Sequence, residues 1–185
     1  MIGTYDFCGH YEWTFAWLEH NGGAETLREY WDEAIHRDSQ QHAAELILEK
    51  GIEGMKEYWG HSLSQEGAGY HTTATEKTFR IDIQSCPSKG FLIRNGLNQH
   101  SDYCDHCIGW IGPMLLRAGF TIDHQHNHCG QCWWEMRSAT DGNAAIGQEE
   151  RLEVFNEHDV RLNANWKQET PIDTYLRNFR LKSVQ

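Results

Sequence analysis

The chain has 185 residues and a formal net charge of −11 at pH 7, from 16 basic and 27 acidic residues. A chain of this length buries a core without disulfide staples, and eight Trp with 39% apolar residues indicate a folded globular protein. So acidic a surface repels phosphate backbones, which argues against general nucleic-acid binding. No stretch approaches the roughly 20 apolar residues of a membrane span, and Met1–His20 lacks the pattern of a signal peptide. We therefore expect a cytoplasmic protein without nucleic-acid or membrane partners.

Helical periodicity dominates the N-terminal third. Apolar residues recur at i, i+3, i+4 and i+7 in Thr26–Asp38, and the same spacing continues from Ala44 to Trp59, weakened at Gly51. A further helix is predicted over Tyr5–Glu19. The polar, glycine-containing segment Ser64–Thr75 is predicted to be a linker.

The periodicity then changes to two. Phe79, Ile81 and Ile83 alternate with polar residues, which predicts a half-buried strand that ends at Cys86-Pro87. A short helix or turn is predicted over Phe91–Gly96. A longer helix follows from Ser101 or Asp102 to Ala118, with a kink or restart at Pro113.

A histidine-rich hairpin is predicted after this helix. His124, His126 and His128 share one face of a strand, a turn follows at Cys129-Gly130, and Gln131–Arg137 forms the second strand. A two-residue turn would place Cys132 opposite Asn127, away from the histidines. A three-residue turn would place it opposite His128, on the histidine face.

These elements predict an α+β fold in which N-terminal helices pack on an antiparallel sheet with a Cys/His-bearing helix and hairpin. Within one compact domain we distinguish an N-terminal helical region (1–63), a Cys/His-rich core (76–140) and a C-terminal extension (141–185). Apolar residues at 152–155 and 175–179 predict short packed elements in that extension.

Six Cys and twelve His are the unusual feature of the composition. Cys104 and Cys107 form one CxxC pair and Cys129 and Cys132 a second, with 21 residues between the pairs. Paired CxxC motifs are typical of tetrahedral zinc sites, because two thiolates three residues apart can bind one ion. Reduced, buried cysteines and redox-active dithiols are the alternatives.

The identity of the ligands decides what the ion could do. Four thiolates close the coordination shell and give a structural site, whereas a mixed site can leave a position for water or substrate. We predict the set Cys104, Cys107, His128 and Cys132, with Cys129 as the alternative to His128. Zinc is the expected metal, and iron is the alternative.

Three further residues are candidates for catalysis. Cys86 ends a strand before a proline, a position suited to a nucleophile or a further metal ligand at a cleft, and a buried core cysteine fits the pattern equally well. His106 and His126 are candidate proton carriers. We expect Cys8 in the first helix to be structural.

Taken together, Cys86-Pro87, Gly96-Leu97, Cys104 with Cys107, Gly119 and the run from His128 to Trp133 resemble the L-2-amino-thiazoline-4-carboxylic acid hydrolase family and the related 4-vinyl reductase domain. The resemblance spans about Phe79–Arg137. It implies an antiparallel sheet backed by helices, a small-molecule pocket beside the Cys-bearing helix and, for the second family, zinc in that region.

By position, Cys86 corresponds to the cysteine of the family's Cys-Pro, Cys104 to the helix cysteine and Cys132 to the late hairpin cysteine. Cys107 stands where the hydrolases usually have an acidic residue, a departure that favours metal binding over the thiazoline substrate.

Three functions follow as hypotheses. The first is a metal-dependent hydrolase that acts on a C–N bond of a small cyclic substrate, in which the ion polarises the substrate or activates water. The second is a non-catalytic, 4-vinyl reductase-like domain that binds a small molecule or senses a metal. A redox role with iron is a third hypothesis, and a homodimer is compatible with each.

Overall fold

The computed structural model describes residues 4–97, 103–126 and 130–140. Helices are α1 (Thr4–Tyr30), a π-helix (Trp31–Ser39), α2 (Gln41–Lys50), α3 (Ile52–Gln65), α4 (Pro87–Arg94) and α5 (Asp105–Arg117). Strands are β1 (Gly69–Ala74), β2 (Thr78–Ser85), β3 (Phe120–His126) and β4 (Cys132–Ser138). The predicted α+β class is confirmed.

Glycines divide the N-terminal helices where the chain has to turn. Gly23, with φ 78°, breaks α1 beyond the predicted helix Tyr5–Glu19, and Gly51, with φ 59°, separates α2 from α3. Positive φ is a conformation that glycine adopts without steric penalty. The helix predicted across Ala44–Trp59 is therefore two helices. Gly54 lets them approach closely, since a Cβ there would lie 2.5 Å from the Leu46 carbonyl oxygen.

The sheet has four antiparallel strands in the order β1-β2-β4-β3. The expectation that Ser64–Thr75 is a linker was wrong, because α3 extends to Gln65 and Gly69–Ala74 forms the edge strand β1. Tyr70 pairs with Ile83 and Thr72 with Ile81, so β1 and β2 form a hairpin.

The register of β3 and β4 differs from both predicted registers. His126 pairs with Cys132 and His124 with Trp134, which leaves residues 127–131 between the strands. Directly opposed residues of an antiparallel pair share a face, so Cys132 lies on the face of His124 and His126. His128 and Cys129, on which the two predictions depended, lie outside the described residues, as does the C-terminal extension 141–185.

The helices pack on one face of the sheet. One core cluster contains Ile47 from α2, Met55 from α3 and Leu115 from α5 together with Phe79 and Ile81 from β2, and all five side chains are fully buried. Helix α5 continues through Pro113 to Arg117 without restarting. A second cluster joins α1, the π-helix and α4 around Phe15 and Leu92.

Within the described residues, none of the helices combines the length and apolar character that a transmembrane helix requires.

Substitution of Gly109 tests the contact between α5 and the π-helix. A Cβ at Gly109 would lie 2.2 Å from Cε3 of Trp31, whereas one at Gly112 meets nothing nearer than 3.9 Å. We expect Gly109→Ala to lower the free energy of unfolding by about 1–3 kcal/mol through overpacking. The control Gly112→Ala should raise it by up to about 1 kcal/mol, because alanine favours helix. Urea denaturation measures both, and equal effects would contradict this packing.

Candidate functional site

A cavity of about 320 Å³ lies between one end of the sheet and helices α1, α3, α4 and α5. Its walls are largely aromatic and apolar, with thiols and imidazoles among them. The aromatic residues are Phe7, Tyr11, Tyr58, Trp59, Tyr103, Trp110 and Trp134. Concave, mostly apolar cavities with a few polar groups are the usual form of small-molecule sites.

Most of the residues predicted to form the site line this one cavity. They are Cys86, Cys104, Cys107 and Cys132 with His106 and His126. His128 is outside the described residues. Cys8, expected to be structural, also lines the cavity from α1, and no disulfide links the described cysteines.

Cys86 occupies the N-terminus of α4. Its backbone N–H donates to the Gly130 carbonyl oxygen at 2.9 Å, which holds the end of β2 beside the start of β4. Its sulfur accepts the backbone N–H of Lys89 at 3.4 Å. Pro87 begins the helix with its φ already suited to helical geometry. Helix N-termini and N–H donors stabilise negative charge, so this sulfur is placed as a thiolate nucleophile would be.

His106 and Cys107 form a contact pair at the start of α5. The Nδ1–H of His106 donates to the Tyr103 carbonyl oxygen, so Nε2 of the neutral ring is an acceptor, and it lies 3.4 Å from the Cys107 sulfur. Burial raises the pKa of the Cys107 thiol well above its usual value, and the neighbouring thiols of Cys86, Cys132 and Cys104 raise it further. Cys107 is therefore a protonated thiol that can donate to His106.

Two histidines of β3 line the cavity. His126 pairs through Nε2 with Asp105 at 2.9 Å, which orients its ring at the start of α5. The ring of His124 lies 5.2 Å from that of His126. Burial first, and then the proximity of His126, lower the pKa of His124 to about 4. His124 is thus a neutral imidazole at pH 7.

Glu66 is a lining residue that the sequence did not indicate. It follows α3 directly, within the segment predicted to be a linker. Burial raises the pKa of its carboxyl group. A single carboxylate without a motif gives no signal in the sequence, and only its place beside the thiols identifies it.

Cys8 and Tyr103 meet through Ser88 on the α1 side of the cavity. The Ser88 and Tyr103 hydroxyls are 2.6 Å apart. Burial raises the pKa of Cys8 to about 11, although a hydrogen bond with Ser88 opposes this shift. The Cys8 thiol is therefore protonated and unsuited to nucleophilic attack.

Among the described residues, the predicted zinc ligands do not converge into a group that could bind an ion. Among residues 4–97, 103–126 and 130–140, no three His, Cys, Asp or Glu side chains converge so that they could hold a metal. The fourth ligand, His128, and its alternative Cys129 lie outside these ranges. Zinc and iron stay predictions, and the chemistry available to the described residues is that of thiols, imidazoles and Glu66.

No protein-family model, curated protein or solved structure matches this chain. The resemblance to the thiazoline-carboxylate hydrolases and 4-vinyl reductase domains therefore stays a prediction.

His124 should make stability depend on pH. Its pKa is near 6.5 in the unfolded chain and about 4 in the folded protein. Between these pH values the unfolded chain binds a proton that the folded protein does not bind, so acidification favours unfolding. We expect this residue to lower the free energy of unfolding by about 2 kcal/mol between pH 7.5 and pH 5. Urea unfolding at both pH values should show that His124→Leu removes this loss. The control His71→Leu, at an exposed position of β1, should retain it.

Metal analysis tests the zinc prediction. Purified untagged protein should hold about one zinc per chain, and Cys104→Ser or Cys132→Ser should lower both metal content and thermal stability. Under the mixed ligand set, His128→Ala should weaken metal binding about 10-fold or more, while Cys129→Ala has little effect. The reverse result would indicate a four-thiolate structural site. Purified protein without metal would exclude both the mixed and the four-thiolate ligand sets.

Proposed function

We propose that this chain is a hydrolase that opens a C–N bond of a small cyclic substrate, with Cys86 as the nucleophile. The observation that carries the proposal is the position of the Cys86 sulfur. It lines the cavity at the N-terminus of α4 and accepts the Lys89 N–H. A nucleophile at a helix N-terminus, with imidazoles in the same cavity, is an arrangement suited to acyl transfer.

In the first step the Cys86 thiolate adds to the sp² carbon that is bonded to the ring nitrogen. The C–N bond then breaks, the ring opens and the nitrogen leaves with a proton, so the acyl group is bonded to sulfur. His126 donates that proton, since Asp105 orients its ring at the cavity wall. His124 remains neutral and can donate a hydrogen bond to the substrate without competing for the proton.

In the second step a water molecule adds to the acyl carbon and gives a proton to His126. The C–S bond breaks, and Cys86 leaves as the thiolate. The sum is the addition of one water across the C–N bond, so neither an oxidant nor a reductant is required. Cys8 and Cys107 stay out of the reaction because their thiols are protonated.

A non-catalytic ligand-binding domain is the second candidate. The observation that favours it is the predominance of aromatic and apolar walls around the cavity, which would hold a ligand without supplying further chemistry. Binding of a small cyclic compound without turnover would support this function over the first.

Alkylation tests the nucleophile. With limiting iodoacetamide at pH 7.5, peptide mapping by mass spectrometry should show Cys86 modified about 10-fold or more faster than Cys8 or Cys107, because only thiolates react. Preferential labelling of Cys8 or Cys107 would contradict the assignment. Thermal melting of the labelled protein should show that it remains folded.

Measurement of turnover tests both the proposed hydrolysis and the role of Cys86 in it. A panel of lactams, cyclic ureas and thiazolines is incubated with the protein, and products heavier by one water are sought by mass spectrometry. For any substrate found, Cys86→Ala should lower kcat at least about 10³-fold. Cys8→Ala, which removes a protonated thiol from the same cavity, should lower it less than about 10-fold. Equal decreases in kcat for the two variants would contradict the assignment of Cys86 as the nucleophile.

A further inference from the structure

Glu66 is the one carboxylate among the cavity-lining residues that the structure describes. It lies at the C-terminal end of α3 and is half-buried. Its side chain makes no hydrogen bond or ion pair within the described part of the chain, unlike Asp105, which pairs with His126. An acidic group that faces a cavity without a protein partner has its strongest interaction available to a ligand.

Two tyrosines of the cavity, Tyr58 and Tyr11, are close enough to this carboxylate for its charge to affect them. Burial is the main cause that raises the pKa of Tyr58, about two helical turns before Glu66 on α3, and the charge of Glu66 raises it further. Burial, Tyr30 and Cys8 raise the pKa of Tyr11 on α1, and Glu66 adds a smaller effect. Phe7 and Trp59 line the same cavity. Ring faces attract organic cations by their quadrupoles, so these walls and the carboxylate favour the same kind of ligand.

The positive side chain of the cavity, Lys89, does not neutralise Glu66. Lys89 is buried in α4, with its Nζ 5.7 Å from the centre of the Tyr103 ring. Burial raises the pKa of Glu66, and within residues 4–97, 103–126 and 130–140 no charged side chain offsets the desolvation of the carboxylate. A bound cation would supply the interaction that burial removes.

We propose that Glu66 pairs with a protonated nitrogen group of the ligand, and that the cavity therefore selects small, planar organic cations that carry N–H donors. The inference rests on the proposed function only for the location of the ligand site. It assigns Glu66 to recognition, whereas Cys86 acts on the C–N bond.

Benzamidine and benzamide provide a matched pair of probes, since they have nearly the same shape and only benzamidine is a cation at pH 7.5. Isothermal titration calorimetry should show one benzamidine bound per chain, with a Kd at least about 10-fold lower than that of benzamide, the scale of a hydrogen bond to a charged group. Glu66→Gln should abolish this preference. Glu57→Gln, an exposed position on the same helix, should retain it, and thermal melting confirms that each variant is folded.

The outcomes separate this inference from the hydrolase proposal. Cys86→Ala should bind benzamidine as the wild type does even though it loses turnover. Equal affinities of the wild type for the two probes, no benzamidine binding at millimolar concentrations, or an unchanged preference in Glu66→Gln would each overturn the role of Glu66. None of these results depends on finding a substrate.

Discussion

The antiparallel pairing of β2 with β4 is the constraint on which the site depends. These strands are about fifty residues apart in the chain, and their register sets Ile83 opposite Cys132. The pairing continues beyond the strands, where the Cys86 N–H reaches the Gly130 carbonyl oxygen. A shift by one residue would move Cys132 to the opposite face of the sheet and separate it from Cys86 and Cys107. The register of β2 and β4 thus places the thiols of the cavity, and the helices enclose it.

Crowding of thiols in an apolar cavity determines which of them can react. Burial is the largest cause of the raised pKa values of Cys8 and Cys107, and the negative charge of neighbouring thiolates raises them further. Negative charge is stabilised where backbone N–H groups converge. Cys86 and Cys104 both cap helices, and of these two it is the Cys86 sulfur that accepts a backbone N–H of its helix. A bound cation at Glu66 would add positive charge to the same cavity and reduce this repulsion. Ligand recognition and nucleophile activation would then support each other electrostatically.

The sequence predicted the elements whose periodicity reflects burial. β2 alternates because Phe79, Ile81 and Ile83 enter the core, and α5 carries a continuous apolar stripe. β1 was not predicted because an edge strand buries few apolar side chains. The alternation of Tyr70 and Thr72 with exposed residues was its only signal. The register of β3 and β4 could not be predicted, since a turn around Cys129-Gly130 permits several loop lengths. Clustering of Cys86 with the CxxC residues was expected from the resemblance, whereas Glu66 required the packed structure.

The core face of the sheet changes character along its length. At one end, Phe79 and Met136 are fully buried against helices, which gives the sheet its stability. At the other end the same face carries His124, His126 and Cys132, whose polar atoms reach the cavity. The alternation that builds the core therefore also aims these side chains, because every second residue of a strand faces the same way. Burying an imidazole there lowers stability below pH 6.5, as the depressed pKa of His124 requires. A sheet selected only for stability would continue the apolar row to its end, and the departure from that row supports the proposed ligand site at this end.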